Sequence, residues 1–408
     1  MSPSELSTRL SSAPLPVAAR LFHALLARID AGSLQFTAPD GSISRFHGRH
    51  PGPTADLALH DWDVAARILR TAEIGLAEGV RDGRAETSDL TALLRLCVAN
   101  EQALAQYFYA RPLAAAVLRL KHLCRTNTRA QARRNIQAHY DLSNEFYALW
   151  LDPTMTYSSG IGVPDGDCSA DALASAQVAK YERILDELAP APGDHVLEIG
   201  CGWGGFALHA ARTRDVRITG LTLSPAQLRW AREQVAAAGL SDRIDLRLVD
   251  YRDLTGRFDH VVSIEMFESV GERYWQTYFD AISAHLRPGG RAVLQAITID
   301  ERVFPRYRRS SDFIREFIFP GGMLAPVSRM VRDAARAGLA AGTPYRFGLD
   351  YARTLRAWHQ RFQAAASAVD ALGFDARFRR LWQFYLNYCE AGFRSGRTDV
   401  VQLTLRHA

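Results

Sequence analysis

The order of apolar and polar positions divides the chain into two unlike parts. In the first, Val17-Ala-Ala-Arg-Leu21-Phe22-His-Ala-Leu25-Leu26-Ala-Arg-Ile29 places apolar residues at helical spacing and predicts a helix over 17–30. Ser33 to Phe46 follows as two alternating runs about Asp40-Gly41, the pattern of a hairpin. Residues 62–120 are helical in pattern, with interruptions expected at Gly75, Gly79 and Gly83. These features predict a small α+β accessory domain over 1–120, in which nothing has catalytic spacing. A basic linker and lid segment over 121–160 then leads into a larger domain over 161–408.

The larger part has a different rhythm. A helical stretch at about 169–188 precedes His195-Val-Leu-Glu198-Ile199, an apolar run of the kind a fully buried parallel strand shows. Further strand patterns over 216–222, 244–251, 258–265 and 291–297 alternate with helical ones, which predicts a doubly wound α/β sheet. Ligands of such sheets sit at the carboxyl ends of the strands. Gly202, Thr222, Tyr251, Glu268 and Gln295 all fall there.

The candidate chemistry begins at the end of the first of these strands. Gly200-Cys-Gly202-Trp203-Gly204-Gly205 holds four glycines in six positions before a helical pattern resumes at Phe206. A plain turn needs one glycine, whereas several let backbone N–H groups approach a nucleotide-like ligand. The loop alone does not choose between NAD, FAD and S-adenosylmethionine (SAM). A dinucleotide site expects an acid at the end of the second strand for the ribose hydroxyls, and Thr222 stands there. Ser224-Pro225 then opens a helix, with Ser at the N-cap and Pro in the first turn. Asp250 and Tyr251, closing the third strand, can hold an adenine by hydrogen bond and stacking.

Composition narrows the partners. The 408 residues have room for two domains, and 48% hydrophobic with 23% charged content is ordinary for a globular protein. No apolar run approaches a membrane span, and the N-terminus lacks a secretory signal's apolar core. Cys97, Cys124, Cys168, Cys201 and Cys389 have neither zinc nor disulfide spacing, which suits a reducing cytoplasm. The net charge of +5 permits an anionic partner. The basic run 119–134 reads equally as a solvated face or as a contact for anionic headgroups. No nucleic-acid-binding signature accompanies it.

His139-Tyr-Asp-Leu-Ser-Asn144, Thr156-Tyr157-Ser158, Glu198-Ile-Gly-Cys-Gly-Trp-Gly-Gly205, Gly220-Leu-Thr-Leu-Ser224, Met266-Phe-Glu268, Ile318-Phe-Pro-Gly-Gly322 and Asn387-Tyr-Cys389-Glu-Ala-Gly-Phe-Arg394 together resemble the cyclopropane-fatty-acyl-phospholipid synthase family. The resemblance runs from about residue 135 to the C-terminus, and more loosely through the accessory domain. It implies a class I SAM-dependent methyltransferase sheet, SAM as methyl donor, and the cis double bond of a phospholipid acyl chain as acceptor. The implied SAM contacts are Tyr157, Ser158, Val196, Glu198, Gly200, Gly202, Trp203, Gly204, Thr222, Leu223, Ser224, Gln227, Asp250, Tyr251 and Arg252. The family's reaction centre holds bicarbonate, and its holders align with Ser159, Glu268, Gln295, Ile297 and Tyr351. A cysteine matching Cys389 is also an active-site residue in the family. Unsaturated chains at the inner face of a bilayer, a peripheral cytoplasmic location and a homodimer are implied as well.

Ser159 and Gln295 depart from that pattern, which has Cys and His there, and Ser269 stands where His is usual. A hydroxyl or amide can hydrogen-bond an anion but cannot titrate near neutrality as His does. The expectation is therefore weak or absent dependence on bicarbonate. An alkene attacking the SAM methyl leaves a cation on the chain, for which Tyr157, Tyr351, Phe267 and Tyr385 are candidate stabilising rings. A base must then remove a proton, and Glu268 is the expected carboxylate. Loss from the added methyl closes a cyclopropane, whereas loss from a neighbouring carbon leaves a methyl or methylene branch. A small-molecule methyltransferase and a non-enzymatic SAM- or lipid-binding module are the other readings. Arg302 to Gly322 mixes bases with rings, as an interfacial segment or a core helix with a solvated face would.

Overall fold

Five strands, apolar on both faces at the centre of the sheet and on one face at the edge strand Ile244–Leu248, form the parallel half of the larger sheet. They are β5 (His195–Ile199), β6 (Arg217–Thr222), β7 (Ile244–Leu248), β8 (Phe258–Ile264) and β9 (Leu286–Ile299). The computed structural model describes residues 16–108 and 142–408, so the basic run 119–134 and His139-Tyr140-Asp141 lie outside the described residues. The chain winds outward from β5 through β6 to β7, then returns to the other side of β5 for β8 and β9. That reversal sets the carboxyl ends of β5 and β8 side by side, where ligands of such sheets bind.

Beyond β9 the sheet changes sense. The short strands β10 (Leu339–Ala341) and β11 (Tyr345–Arg346) and the long β12 (Thr398–His407) all pair antiparallel, with β12 lying between β9 and β10. β12 answers β9 residue for residue, Gln402 opposite Gln295 and Val400 opposite Ile297. β12 is not among the strands the sequence pattern predicts, although Val400, Val401, Leu403 and Leu405 are fully buried.

The first part of the chain has its own four-stranded sheet of β1 (Ala31–Thr37), β2 (Ile43–His47), β3 (His50–Leu59) and β4 (Ala85–Glu86). β1 and β2 form the expected hairpin, with Asp40 Oδ1 accepting from Ser42 N in the turn. The expected interruptions at Gly75 and Gly79 do not occur. Both lie inside the helix Glu73–Arg81, where a Cβ on Gly75 would strike the Arg67 backbone. The break falls at Ala72 (φ 51°), so these glycines serve close helix packing. This part rests on the helix Ala376–Arg394. Thr91 Oγ1 donates to Asn387 Oδ1 at 2.8 Å and Arg380 Nε to the Arg81 carbonyl at 2.7 Å, while Arg306 and Arg397 both pair with Glu101.

The segment 302–322 turns its rings inward. Phe313 is fully buried against Phe384, and the buried Arg315 guanidinium donates to the carbonyls of Tyr307 and Ser310. Arg308 pairs with Glu272 and Arg302 with Asp300. This is the core-helix arrangement rather than the interfacial one. No described helix is long and apolar enough to cross a membrane.

Candidate functional site

A cavity opens at the carboxyl ends of β5, β6, β7 and β8. Its floor is the glycine loop, which leaves β5 with Gly200 at φ 87° and enters the helix Gly205–Thr213 through Gly204 at φ 88°. Leu221 O accepts from both Gly200 N and Cys201 N, fixing the loop to β6. A Cβ on Gly205 would lie 2.6 Å from Tyr181 Oη, so only glycine lets the helix start this close to the wall.

Glu198 lies on that wall, 2% exposed, and its Oε2 has no hydrogen-bond partner. Burial pushes its carboxyl up to about 8, partly opposed by the Lys180 ammonium. A buried carboxylate without a partner costs several kcal/mol, so this oxygen suits a cationic ligand group. Thr222 donates to Gln227 Oε1 at 3.0 Å and accepts from Ser224 N, which fixes the turn after β6. Asp250 is gripped in a fork by Arg252 at 2.8 and 2.6 Å, so its carboxylate is already engaged beside the Tyr251 ring.

Tyr157, Ser158, Gly200, Gly202, Trp203 and Leu223 also line the cavity. Val196, Gly204 and Ser224, expected among the SAM contacts, do not. Val196 is fully buried inside the sheet, Gly204 backs onto Ala231, and Ser224 caps the helix Pro225–Ala237 through Gln227 N. Above the loop, Trp203 Nε1 donates to Asn144 Oδ1 at 2.7 Å. The segment from Leu142 thus closes over the glycine turn, as a lid would.

Behind the donor cavity lies a second polar cluster, centred on Glu265, which the sequence pattern marks only as a strand end. Glu265 follows β8 with φ 51°, a left-handed conformation that costs a non-glycine residue about 1–3 kcal/mol. Its Oε1 accepts from Ser159 N at 2.9 Å and Gln295 Nε2 at 2.8 Å, and its Oε2 from Tyr351 Oη at 2.7 Å. Burial raises its carboxyl above the ordinary range, opposed first by the Lys180 charge and then by these three donors. Of the cluster, Glu265 lines the cavity, whereas Ser159, Glu268, Gln295 and Tyr351 stand behind it.

Glu268, the expected key carboxylate, therefore takes a rear position. Its Oε1 accepts from Ile297 N and its Oε2 is buried without a partner. Burial, and then the negative charge of Glu265, push it up to about 8. Gln295 is locked, with its Oε1 accepting from Gln402 Nε2 at 3.0 Å, and the Ser159 hydroxyl donates to the Gly160 carbonyl. The Ser159, Gln295, Ile297 and Tyr351 donors expected to hold bicarbonate are thus engaged within the protein, three of them on the Glu265 carboxylate. Bicarbonate does not fit this cluster.

Lys180 was also not foreseen. It is wholly buried on the helix Ala170–Leu188, and its Nζ donates to Ser158 Oγ at 2.6 Å. Burial lowers it to about 7, opposed by the charges of Glu265, Asp152 and Glu198. Aromatic rings close the remaining side. Tyr157 Oη and Tyr385 Oη are hydrogen-bonded at 2.6 Å, Tyr157 packs on Trp358, and Tyr351 stacks on Phe393. Phe267 is not among them, because its ring is buried in a separate core against Trp275, Tyr278 and Phe279. Cys389 is close enough to influence Tyr351 and Tyr385, but burial raises its thiol well above the ordinary range, so it stays neutral. Among the described residues no group of acids, histidines and cysteines could hold a metal ion.

A sheet wound this way, with a glycine loop after its first strand, is built to hold a nucleotide-like ligand, and the solved structures it matches at 31% identity are SAM-dependent methyltransferases of the cyclopropane synthase kind. A family profile described as mycolic acid cyclopropane synthetase matches residues 127–403. The tuberculostearic acid methyltransferase of Mycobacterium tuberculosis is 40% identical over 86% of this chain and 82% of its own length. The cyclopropane-fatty-acyl-phospholipid synthase of Escherichia coli is 35% identical over 84% of this chain and 85% of its own. A solved mycolic acid cyclopropane synthase complexed with SAH and CTAB superposes with a TM-score of 0.62 at 31% identity, over 67% of this chain and 97% of its own. The chain belongs to the mycolic acid cyclopropane synthetase family. It is an enzyme, and SAM is its co-substrate.

Proposed function

We propose that the protein transfers the SAM methyl group to the cis double bond of an unsaturated phospholipid acyl chain and closes a cyclopropane by losing a proton. The observation that carries this reading is the buried Glu265 carboxylate on the wall of the donor cavity, with Tyr157 beside it and Tyr351 hydrogen-bonded to it. O- or N-methylation needs no such arrangement, whereas an alkene acceptor passes through a cation. That cation is favoured by nearby anionic and π groups and must be kept from water.

Bound SAM supplies an electrophilic methyl carbon on a sulfonium. Glu198 and the glycine loop hold the methionine end, and Thr222, Gln227, Tyr251 and Arg252 form the wall for the remainder. Trp203 and Asn144 hold the lid, so water is excluded while the new carbon–carbon bond forms. Tyr157 offers its ring face to the developing charge, worth about 0.5–2 kcal/mol, with Tyr385 holding its hydroxyl. A carboxylate then accepts the proton, and the electrons of that C–H bond close the ring.

One observation favours a second product. Glu265 is fixed to the backbone, and a base that cannot follow the methyl group can reach the hydrogens of a neighbouring chain carbon instead, leaving a methyl or methylene branch. Incubation with SAM and an unsaturated phospholipid, followed by acyl-chain mass spectrometry and NMR, separates the two. Ring-methylene protons at high field are expected. Vinylidene or branched-methyl signals would replace that reading with the second. Bound SAM with no methyl on any lipid would indicate a small-molecule acceptor.

A further inference from the structure

We propose that Glu265 is the catalytic anion of this enzyme, a protein-borne carboxylate standing where the family resemblance implies a bicarbonate ion. The inference rests on the proposed alkene methylation and deepens it.

Of the five expected bicarbonate holders, three converge on the Glu265 carboxylate through Ser159 N, Gln295 Nε2 and Tyr351 Oη. A fourth, Ile297 N, is taken by the fifth, Glu268. The donors that would recognise a small planar anion thus surround a planar carboxylate already. An added bicarbonate would find these four donors already taken and would lie against the Glu265 carboxylate.

The backbone at Glu265 agrees. Its left-handed φ of 51° suits glycine, yet a glutamate is held there by three hydrogen bonds. The departures at Ser159 and Gln295 also become intelligible. A carboxylate tethered to β8 needs only neutral donors around it, and Gln295, fixed by Gln402, supplies one without titrating.

The step balances with groups already present. The alkene π electrons form the bond to the methyl carbon, and the carbon–sulfur bond electrons leave with sulfur. A C–H bond of the resulting cation then gives its electrons to the ring or to a new double bond. Its proton passes to Glu265, which later returns it to solvent.

The test uses full-length protein, SAH-bound for binding and supplied with SAM and unsaturated phospholipid for turnover, in buffer freed of carbonate. Glu265→Gly suits the left-handed backbone and frees the donors, while Glu265→Gln keeps the space filled. Wild type is expected to turn over at its full rate and to show no saturable binding of ¹³C-bicarbonate by NMR. Glu265→Gly is expected to lose about 10²-fold or more of its turnover, the lower end of what a positioned base contributes. It should bind ¹³C-bicarbonate saturably and regain activity when bicarbonate is added. Glu265→Gln should lose about 10³-fold of its turnover, bind none and not be rescued. Bicarbonate binding or dependence in wild type would overturn the inference. So would a Glu265→Gly protein that binds none, or one that keeps its rate without carbonate. Should wild type methylate no lipid, the acceptor reading fails while the binding arm still decides the role of Glu265.

Discussion

The donor side and the acceptor side of this active site are built in opposite ways. On the donor side, Glu198, the glycine loop and Thr222 come from two neighbouring strands and their turns. That side ends in an unpartnered carboxylate oxygen, so it is complete only with a cation bound. On the acceptor side, Ser159, Glu265, Gln295 and Tyr351 come from four separate places, and their polar atoms already satisfy one another. A site left open binds its ligand, whereas a site closed on itself presents a fixed charge. Changes to the first should therefore act on KM for SAM, and changes to the second on kcat.

The sharpest break in that comparison is Glu265→Gln. Turnover should fall about 10³-fold, within the range for a positioned proton acceptor, while SAM binding measured by calorimetry changes little. A comparable loss of SAM affinity would merge the two sides. Tyr351→Phe should come next, because it removes one of three donors to the carboxylate. A hydrogen bond to a charged group is worth about 1.5–3 kcal/mol, so kcat should fall about 10- to 100-fold. Losing that donor raises the Glu265 pKa, so the acid limb of the kcat–pH profile should move to higher pH. A pure packing role would lower kcat without moving that limb.

On the donor side, Glu198→Gln should raise KM for SAM about tenfold, as loss of one charge-assisted contact predicts, and leave kcat nearly unchanged. Ionic recognition also predicts that wild-type affinity for SAM rises with pH, as Glu198, held at about 8, loses its proton. The glutamine variant should lack that rise. A wild-type affinity flat between pH 6 and 9 would sink the ionic reading.

The same contrast explains what could be read in advance. Donor-side residues are contiguous, so the run from Glu198 to Gly205 and the turn at Thr222 pointed to their site directly. Central parallel strands such as β5 are mostly apolar and the edge strand β7 alternates, which made β5 to β9 legible. The acceptor side depends on register, which one sequence does not display. Gln295 could be placed at the end of a strand, but its clamp by Gln402 exists only because β12 runs antiparallel beside β9. Glu265 carried one usable signal, an acid closing an apolar strand three residues before another acid. Phe267 misled because neighbours in sequence need not share a core: Glu268 faces the cluster while Phe267 points into the helix layer. Lys180 carried no signal, since one lysine on an amphipathic helix reads as solvent-facing until its burial is seen.

The last effect concerns stability and not turnover, and it tests whether the acceptor side carries an electrostatic cost. Glu268 is fully buried, with Oε2 unpartnered beside Glu265, and its carboxyl is held at about 8 against 4.5 for the free group. Below pH 4.5 the folded and unfolded chains both hold this proton, so the group has no influence. Between 4.5 and 8 the unfolded chain releases the proton while the folded one keeps it. Stability then declines as pH rises, approaching a factor of ten in the folding equilibrium per unit. Above 8 the folded form ionises too and the decline stops. Glu268→Gln keeps an oxygen for Ile297 N and cannot ionise. Its melting temperature relative to wild type should therefore climb from pH 5 to pH 8 and level off beyond. A difference constant over that range would mean that Glu268 is ionised in the folded protein at neutrality, and that the two carboxylates coexist without a shared electrostatic cost.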